Sequence, residues 1–300
     1  MFYFKLTTDM KKLTTLATLF LLVFSISSCA QSYRHRFSTG NSWLGGKEVK
    51  ASKNYVTKEI KVKDFDRIQV EGSLDVTYKQ QTGKPEVEIY TSDNIVDLLD
   101  IYVKGGTLYL NFKKNVSVAY NKLEIRVCSN RLGYASVTGS GSLDLANALN
   151  TDNLELKVTG SGDITGGDIS CTEGFTASVT GSGDFKCKQL TTRMLNVGVT
   201  GSGDLNVENA SATSVVANVA GSGTLKIKGK AEEAEYSVAG SGDLLASDFE
   251  VQRVSAAVAG SGDIKCHAVK FLKARTNGSG DIGYKGNPEL DYPKKGLYKL

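Results

Sequence analysis

The stretch Val179-Thr180-Gly181-Ser182-Gly183-Asp184-Phe185 decides the fold, because its Gly-Ser-Gly centre returns along the chain. Eight copies of Gly-Ser-Gly occur, and successive copies start 18 to 21 residues apart. They begin at Gly139, Gly160, Gly181, Gly201, Gly221, Gly240, Gly260 and Gly278. The copies contain 16 of the 32 glycines, so glycine marks a fixed position in a repeat. A constant period near 20 residues predicts a solenoid, in which each unit buries its apolar face against its neighbours.

Apolar residues alternate with small or polar residues on both sides of each corner. Two residues before the first glycine stand Val137, Val158, Val179, Val199, Val219, Val238, Val258 and Thr276. A second column after the corner contains Leu143, Ile164, Phe185, Leu205, Leu225, Leu244, Ile264 and Ile282. A period of two residues indicates β-strands with one buried face.

The unit predicted from these columns is a strand, a Gly-Ser-Gly corner, a second strand and a polar connection such as residues 208–211. Glycine suits a tight corner because it accepts positive φ without a steric cost. A strand that returns every 20 residues lies parallel to its predecessor, and parallel crossovers are almost always right-handed. We therefore predict an all-β protein, a right-handed parallel β-helix with about 20 residues per coil.

The chain opens as an export signal. Lys11 and Lys12 precede a mostly apolar run from Leu13 to Ile26, which is short for a membrane span. Ile26-Ser27-Ser28-Cys29 resembles a bacterial lipobox, in which the cysteine is acylated and becomes the mature N-terminus. The alternative is ordinary cleavage after Ala30. We predict an exported lipoprotein attached by Cys29 to the outer membrane, on its periplasmic or its cell-surface side.

The remaining chain divides by the regularity of its pattern. We predict a signal peptide at 1–28, a polar tether at 29–54, irregular N-terminal β-coils that act as a cap at 55–134, regular β-helix repeats at 135–285 and a C-terminal cap tail at 286–300. Residues 71–75, Glu-Gly-Ser-Leu-Asp, are a faint echo of the corner motif. Covering the ends matters because an open sheet edge promotes aggregation.

These features together resemble one family. The lipobox, the opening Phe65-Asp66-Arg67-Ile68-Gln69-Val70 and the serial Gly-Ser-Gly-Asp coils are similar to the putative auto-transporter adhesin, head GIN domain family, over roughly residues 57 to 285. The resemblance implies a β-helix in the bacterial envelope and surface attachment. It supplies no catalytic residues.

An aspartate follows most corners and forms the sharpest chemical feature. The predicted exposed acidic ladder contains Asp163, Asp184, Asp204, Asp243, Asp263 and Asp281. In stacked coils these carboxylates would lie roughly 5 Å apart. They could form a row of Ca²⁺ sites, or each could accept backbone N–H bonds at its own corner. We favour the second interpretation, since six to eight oxygen ligands are not supplied nearby. We therefore expect no metal and no cofactor.

Four cysteines follow Cys29. Cys187 and Cys266 share one inward column four coils apart, roughly 19 Å at the strand spacing, so they cannot pair with each other. A disulfide from Cys171 to Cys128 or to Cys187 stays open. Cys187 and Cys266 are predicted to be small buried hydrophobes.

Composition narrows the function. Lys and Arg total 36, Asp and Glu 32, and the net charge of +4 falls to +2 when the leader is removed. This near-neutral, dispersed charge argues against a nucleic-acid partner. Evenly repeated carboxylates and only two histidines, His35 and His267, argue against catalysis. We predict a non-catalytic adhesin or structural module, with a protein or polysaccharide surface as its ligand. The alternative is a polysaccharide-binding or polysaccharide-degrading protein on the same scaffold.

Overall fold

A computed structural model describes residues 48–292 and 295–300 of the chain. Strands make up 73% of it, and they form a β-solenoid of about eight turns with roughly 20 residues per coil. The N-terminal elements are β1 Val49–Lys50, β2 Tyr55–Lys61, β3 Arg67–Gly72, β4 Asp75–Gln80, β5 Glu86–Ser92, α1 Asp93–Val96, β6 Leu99–Lys104, β7 Thr107–Phe112, β8 Val118–Ala119 and β9 Leu123–Ser129.

The repeats supply the remaining strands. These are β10 Tyr134–Gly139, β11 Ser142–Leu145, β12 Leu149–Gly160, β13 Asp163–Gly181, β14 Asp184–Thr191, β15 Met194–Gly201, β16 Asp204–Ser211, β17 Ser214–Gly221, β18 Thr224–Gly240, β19 Asp243–Gly260, β20 Ile264–Gly278, β21 Ile282–Lys285, β22 Glu289–Asp291 and β23 Leu297–Lys299. Every pairing between these strands is parallel. The predicted parallel stacking is therefore confirmed.

The residues of the predicted columns lie next to each other in successive coils. Val137 pairs with Val158, Val158 with Val179, and this register continues coil by coil to Thr276. The valines of the column are buried. Because equivalent side chains stack directly on one another, each coil completes the core of the next.

Each regular coil has three faces. Between Asp184 and Gly203 the inward side chains fall into three groups: Phe185 and Cys187; Leu190 and Thr192; and Leu195, Val197 and Val199. Two successive outward residues separate the groups at 188–189 and at 193–194. The polar connection that the sequence predicts at residues 208–211 is therefore part of a strand, β16, and Ala210 within it is buried. Alternation restarts at each bend, which the two-strand interpretation had not anticipated.

The two glycines of a corner serve different purposes. Gly181 has φ of +117°, which only glycine adopts readily. Gly183 lies outside the positive-φ region, but a β-carbon there would overlap the carbonyl oxygen of Gly162 in the preceding coil. The second glycine is required because the coils approach closely and not because of its dihedral angles.

The N-terminal coils do not stack in chain order. Strand β3 lies between β10 and β7, and β4 lies between β11 and β9. The residues 72–74 between them form a true corner, in register with Gly139, so the sequence echo marks a full coil. Beyond them the sheet continues with antiparallel strands: β5 and β2 follow β9, and β6 follows β7.

At the other end, β22 and β23 add a short coil parallel to β20 and β21. Arg275 holds this coil through two hydrogen bonds of 2.9 Å to the Asp291 carboxylate. Within residues 48–292 and 295–300, no helix has the length and apolar character needed to cross a membrane.

Candidate functional site

The acidic ladder follows one outward face of the solenoid. The register aligns Asp163 with Asp184 and Asp184 with Asp204, and Thr224 interrupts the column before Asp243. Every aspartate of the ladder is exposed or half-buried. The structure thus brings these carboxylates into one line without enclosing them.

The carboxylates join successive coils. Asp163 Oδ1 accepts the backbone N–H of Asp184 at 3.0 Å, and Asp263 Oδ1 accepts that of Asp281 at 2.9 Å. The same bond links Asp204 to Thr224 and Asp243 to Asp263. The N–H groups therefore belong to the next coil, whereas the sequence interpretation placed them at the same corner. The difference arises because corners stack, which brings a backbone N–H of the next coil within reach of each of these carboxylates.

Lysines beside the ladder balance part of its charge. Lys186 lies 3.0 Å from the Asp184 carboxylate, and this hydrogen bond, together with the charges of Asp184, Asp163 and Asp204, raises the pKa of Lys186. Lys226 and Lys265 lie in the same outward column. In the described part of the chain, no three His, Cys, Asp or Glu side chains converge in a group that could hold a metal ion.

The described cysteines are free thiols, so neither disulfide left open for Cys171 is formed. Cys171, Cys187 and Cys266 are at most 3% exposed. Burial raises the pKa of each of these thiols to about 12. A thiol that keeps its proton is a poor nucleophile, so the three act as core side chains. Cys29 and His35 lie outside the described residues.

A polar groove lies at the N-terminal end of the repeats. It consists of two open clefts of about 320 Å³ and 370 Å³ that share Asn130 and Arg131. The first is lined by Asp64, Phe65, Asp66, Pro85, Gly106, Ser129, Asn130 and Arg131. The second is lined by Gln80, Asn130, Arg131, Asn150, Thr151, Asp152, Ser170 and Thr172. We call these residues together the N-terminal groove.

The floor of the groove is fixed by Gln80. Its side-chain N–H groups donate to the carbonyl oxygens of Asn130 at 2.9 Å and Asn150 at 2.8 Å, and its Oε1 accepts the N–H of Asn150. Asn147 holds the backbone of Gln80 on both sides, donating to its carbonyl oxygen and accepting its N–H. The connection after β9 is therefore tied to the first regular coils.

Sequence reasoning missed this groove. Its walls come from residues up to 108 positions apart, from Asp64 to Thr172. They meet because β9 pairs with β4 and β5 of the irregular coils, and the connection that follows it leads directly into β10 of the repeats. A signal for it is the break in alternation after β9, where residues 130–133 separate β9 from β10.

Comparisons with known proteins agree with the fold. A crystal structure of a putative lipid binding protein from Parabacteroides distasonis ATCC 8503 is 27% identical, with a TM-score of 0.62, over 85% of this chain and 100% of that one. A putative adhesin from the same organism is also 27% identical, with a TM-score of 0.62, over 84% of this chain and 99% of that one. A putative adhesin from Parabacteroides merdae ATCC 43184 has 24% identity, a TM-score of 0.63 and the same two coverages.

No protein with curated function matches the chain significantly. The model of one family matches twice, at residues 64–186 and 176–288, and so spans the irregular coils and the repeats. These two matches cover well over half of the sequence. The chain therefore belongs to the putative auto-transporter adhesin, head GIN domain family.

Proposed function

We propose that this protein is a non-catalytic adhesive module of the cell envelope. The observation that carries the proposal is a solid, in-register solenoid in a family described as adhesins. Its apolar side chains fill the interior, and its outward columns stack small and polar residues in register, such as Ser178, Gly198 and Asn218. Such a body offers an extended surface for binding, as stacked repeats do.

The buried thiols and the paired ladder support the non-catalytic part of the proposal. The three core cysteines are protonated at neutral pH, so they do not supply a nucleophile. Four of the six ladder carboxylates, those of Asp163, Asp204, Asp243 and Asp263, hold backbone N–H groups of the next coil, which gives them a structural role. These groups already have a function in holding the coils together.

We further propose that a lipid on Cys29 tethers the body to the outer membrane. The lipobox Ile26-Ser27-Ser28-Cys29 supports this step, and the adhesin family favours an exported, surface-associated protein. The partners are then the membrane, through the anchor, and a protein or polysaccharide surface, through the body. The cell-surface side is the one that an adhesive function requires.

Protease treatment of intact cells tests this location. If the body lies on the cell surface, protease will release it from intact cells, and a Cys29→Ala variant will leave the membrane fraction altogether. Protection of the body in intact cells, with cleavage only after the outer membrane is permeabilised, would place it in the periplasm and contradict the adhesive proposal.

A second candidate is a polysaccharide-binding protein on the same scaffold. The N-terminal groove favours it, because amides, hydroxyls, carboxylates and one guanidinium converge there. The similar structure from P. distasonis described as a lipid binding protein suggests a further ligand class for comparison. Both ligands can be tested on the same purified chain.

A further inference from the structure

We propose that the N-terminal groove binds a segment of a neutral glycan. This inference rests on the proposed adhesive function and names its ligand class. The two clefts adjoin at Asn130 and Arg131, which line both of them. Each cleft lies at the lower end of the volumes typical of small-ligand sites, and together they can hold more than one sugar ring.

The groove is held in place before any ligand arrives. Gln80 fixes the backbone of Asn130 and Asn150, as described above, and Gly83 donates its N–H to Asn130 Oδ1 at 2.8 Å. The Asn130 oxygen is therefore occupied, and its two amide N–H groups are the donors that remain. A preformed arrangement lowers the entropy cost of binding a flexible polymer.

Arg131 supplies the strongest donor. Its guanidinium group lies 3.2 Å from the Asp66 carboxylate, and its side chain is 62% exposed. Among the described residues, one nitrogen of the guanidinium makes this contact, so the other N–H groups of the fork can donate to a ligand. On the far side of the groove Asp152 accepts a hydrogen bond from the Thr172 hydroxyl at 2.9 Å and retains a second carboxylate oxygen.

The groove therefore offers donors and acceptors side by side. A sugar hydroxyl both donates and accepts, so a row of hydroxyls can satisfy both kinds of group. Three carboxylates, Asp64, Asp66 and Asp152, and one guanidinium line the groove, and this excess of negative charge disfavours phosphate, sulfate or uronate chains. An acyl chain would leave these polar groups without partners, which is costly. Among polymers, a neutral glycan matches this lining best.

The repeats provide a matched control for Arg131. Arg193 occupies a corner in a later coil, pairs with Glu173 across one coil, and is 56% exposed, but it lies outside the groove. Replacing either arginine removes one exposed ion pair, so the two variants should have similar stability. Only one of them removes a groove donor.

The test is calorimetric titration of the purified full chain with soluble hexasaccharides of α-glucan, β-glucan and α-mannan. Hexagalacturonate and phosphatidylglycerol vesicles serve as anionic and lipid probes. We expect at least one neutral hexasaccharide to bind in the micromolar to millimolar range. Arg131→Ala and Asp152→Asn should each weaken that binding roughly tenfold, as expected for loss of a charged hydrogen-bonding group, and Arg193→Ala should leave it unchanged.

Two results would overturn the inference: no binding of any neutral hexasaccharide, or equal binding by Arg131→Ala and Arg193→Ala proteins of equal melting temperature. Preference for hexagalacturonate or for the vesicles would also overturn it. Cell attachment is measured separately with the same variants. If cells still attach when the variant no longer binds glycan, only the proposed glycan site is refuted. If the protein binds glycan but the cells do not attach, the adhesive function is refuted.

Discussion

The backbone N–H of Ser182 donates to the carbonyl oxygen of Gly160, one coil away, at 2.8 Å. The same oxygen accepts the N–H of Gly183 at 3.1 Å, and this pair of bonds recurs at most later corners. Each corner therefore uses the one before it as a template. The Gly-Ser-Gly motif therefore serves two purposes: it forms the turn within one coil, and it allows successive coils to contact each other.

Replacing the second corner glycine should destabilise the protein strongly. In Gly183→Ala the new methyl group would overlap the carbonyl oxygen of Gly162, which belongs to backbone and has little freedom to move. We expect a loss of roughly 3 kcal/mol in the free energy of unfolding, at the upper end of overpacking costs. Denaturant unfolding followed by circular dichroism measures it.

Gly167→Ala is the control for this prediction. No atom of the described residues lies within 4 Å of the position that the β-carbon of Gly167 would take, and the φ of Gly167 is not positive. Its replacement should be neutral. If Gly183→Ala also leaves the free energy of unfolding unchanged, the corners do not approach each other as closely as described.

Tyr236 is the most informative core residue. It is fully buried between Ala217 and Ala256 of the neighbouring coils, which make room for its ring. Its hydroxyl has no hydrogen-bond partner among the described residues, and burial raises its pKa well above the ordinary value. Tyr236→Phe should therefore leave the free energy of unfolding unchanged or raise it by about 1 kcal/mol, and the melting temperature should change in the same direction. Tyr236→Ala should cost about 3–5 kcal/mol. A clear loss in the phenylalanine variant would reveal a partner for the hydroxyl.

Stability should fall at alkaline pH. The pKa of Cys171, Cys187 and Cys266 rises from 9.0 to about 12 in the folded protein. Unfolded thiols lose their protons near pH 9 and folded ones do not, so the unfolded state gains stability as pH rises. The contribution of the three buried thiols to the free energy of unfolding is complete below pH 9 and is lost progressively up to pH 12. Between pH 8 and pH 10 the three thiols together should remove about 4 kcal/mol.

Urea unfolding at pH 8 and pH 10 measures this loss. A variant with alanine at all three positions is less stable at both values, because it leaves cavities, but its change with pH should be much smaller. An identical change in the variant and the parent would show that other groups cause the alkaline loss.

The acidic ladder should stabilise through its oxygens and not through bound calcium. Asp263→Ala removes the acceptor for the Asp281 N–H and should cost about 1 kcal/mol. Asp263→Asn keeps a side-chain oxygen at the same place and should cost less. Calcium and EDTA should leave the melting temperature of the parent unchanged. A clear rise with calcium, lost in Asp263→Asn, would instead establish a cation site.

The repeats could be predicted from the sequence because the residues of each column stand at a fixed distance from a Gly-Ser-Gly corner. Val158 and Val179 stand at the same distance from a corner, and the structure pairs them. The glycine spacing alone sets that register. The third face escaped prediction because Ala210 lies in a polar segment, and a single small residue carries little hydrophobic signal.

The N-terminal region was less predictable for a topological reason. Strand β3 pairs with β7 and β10, which are about 40 and 67 residues away, and β5 runs antiparallel to β2 and β9. Alternation identifies such strands, but it does not specify their partners or directions. The groove depends on those long-range pairings, so Arg131 could not be placed beside Asp66 and Asp152 from the sequence.

We propose that the anchored solenoid attaches cells to a surface and catalyses no reaction. The most direct measurement is attachment of intact cells that carry the full chain, no chain, or the Cys29→Ala variant. The account predicts attachment only with the full chain, and competition by purified protein added in excess. Equal attachment by cells with and without the chain would contradict it.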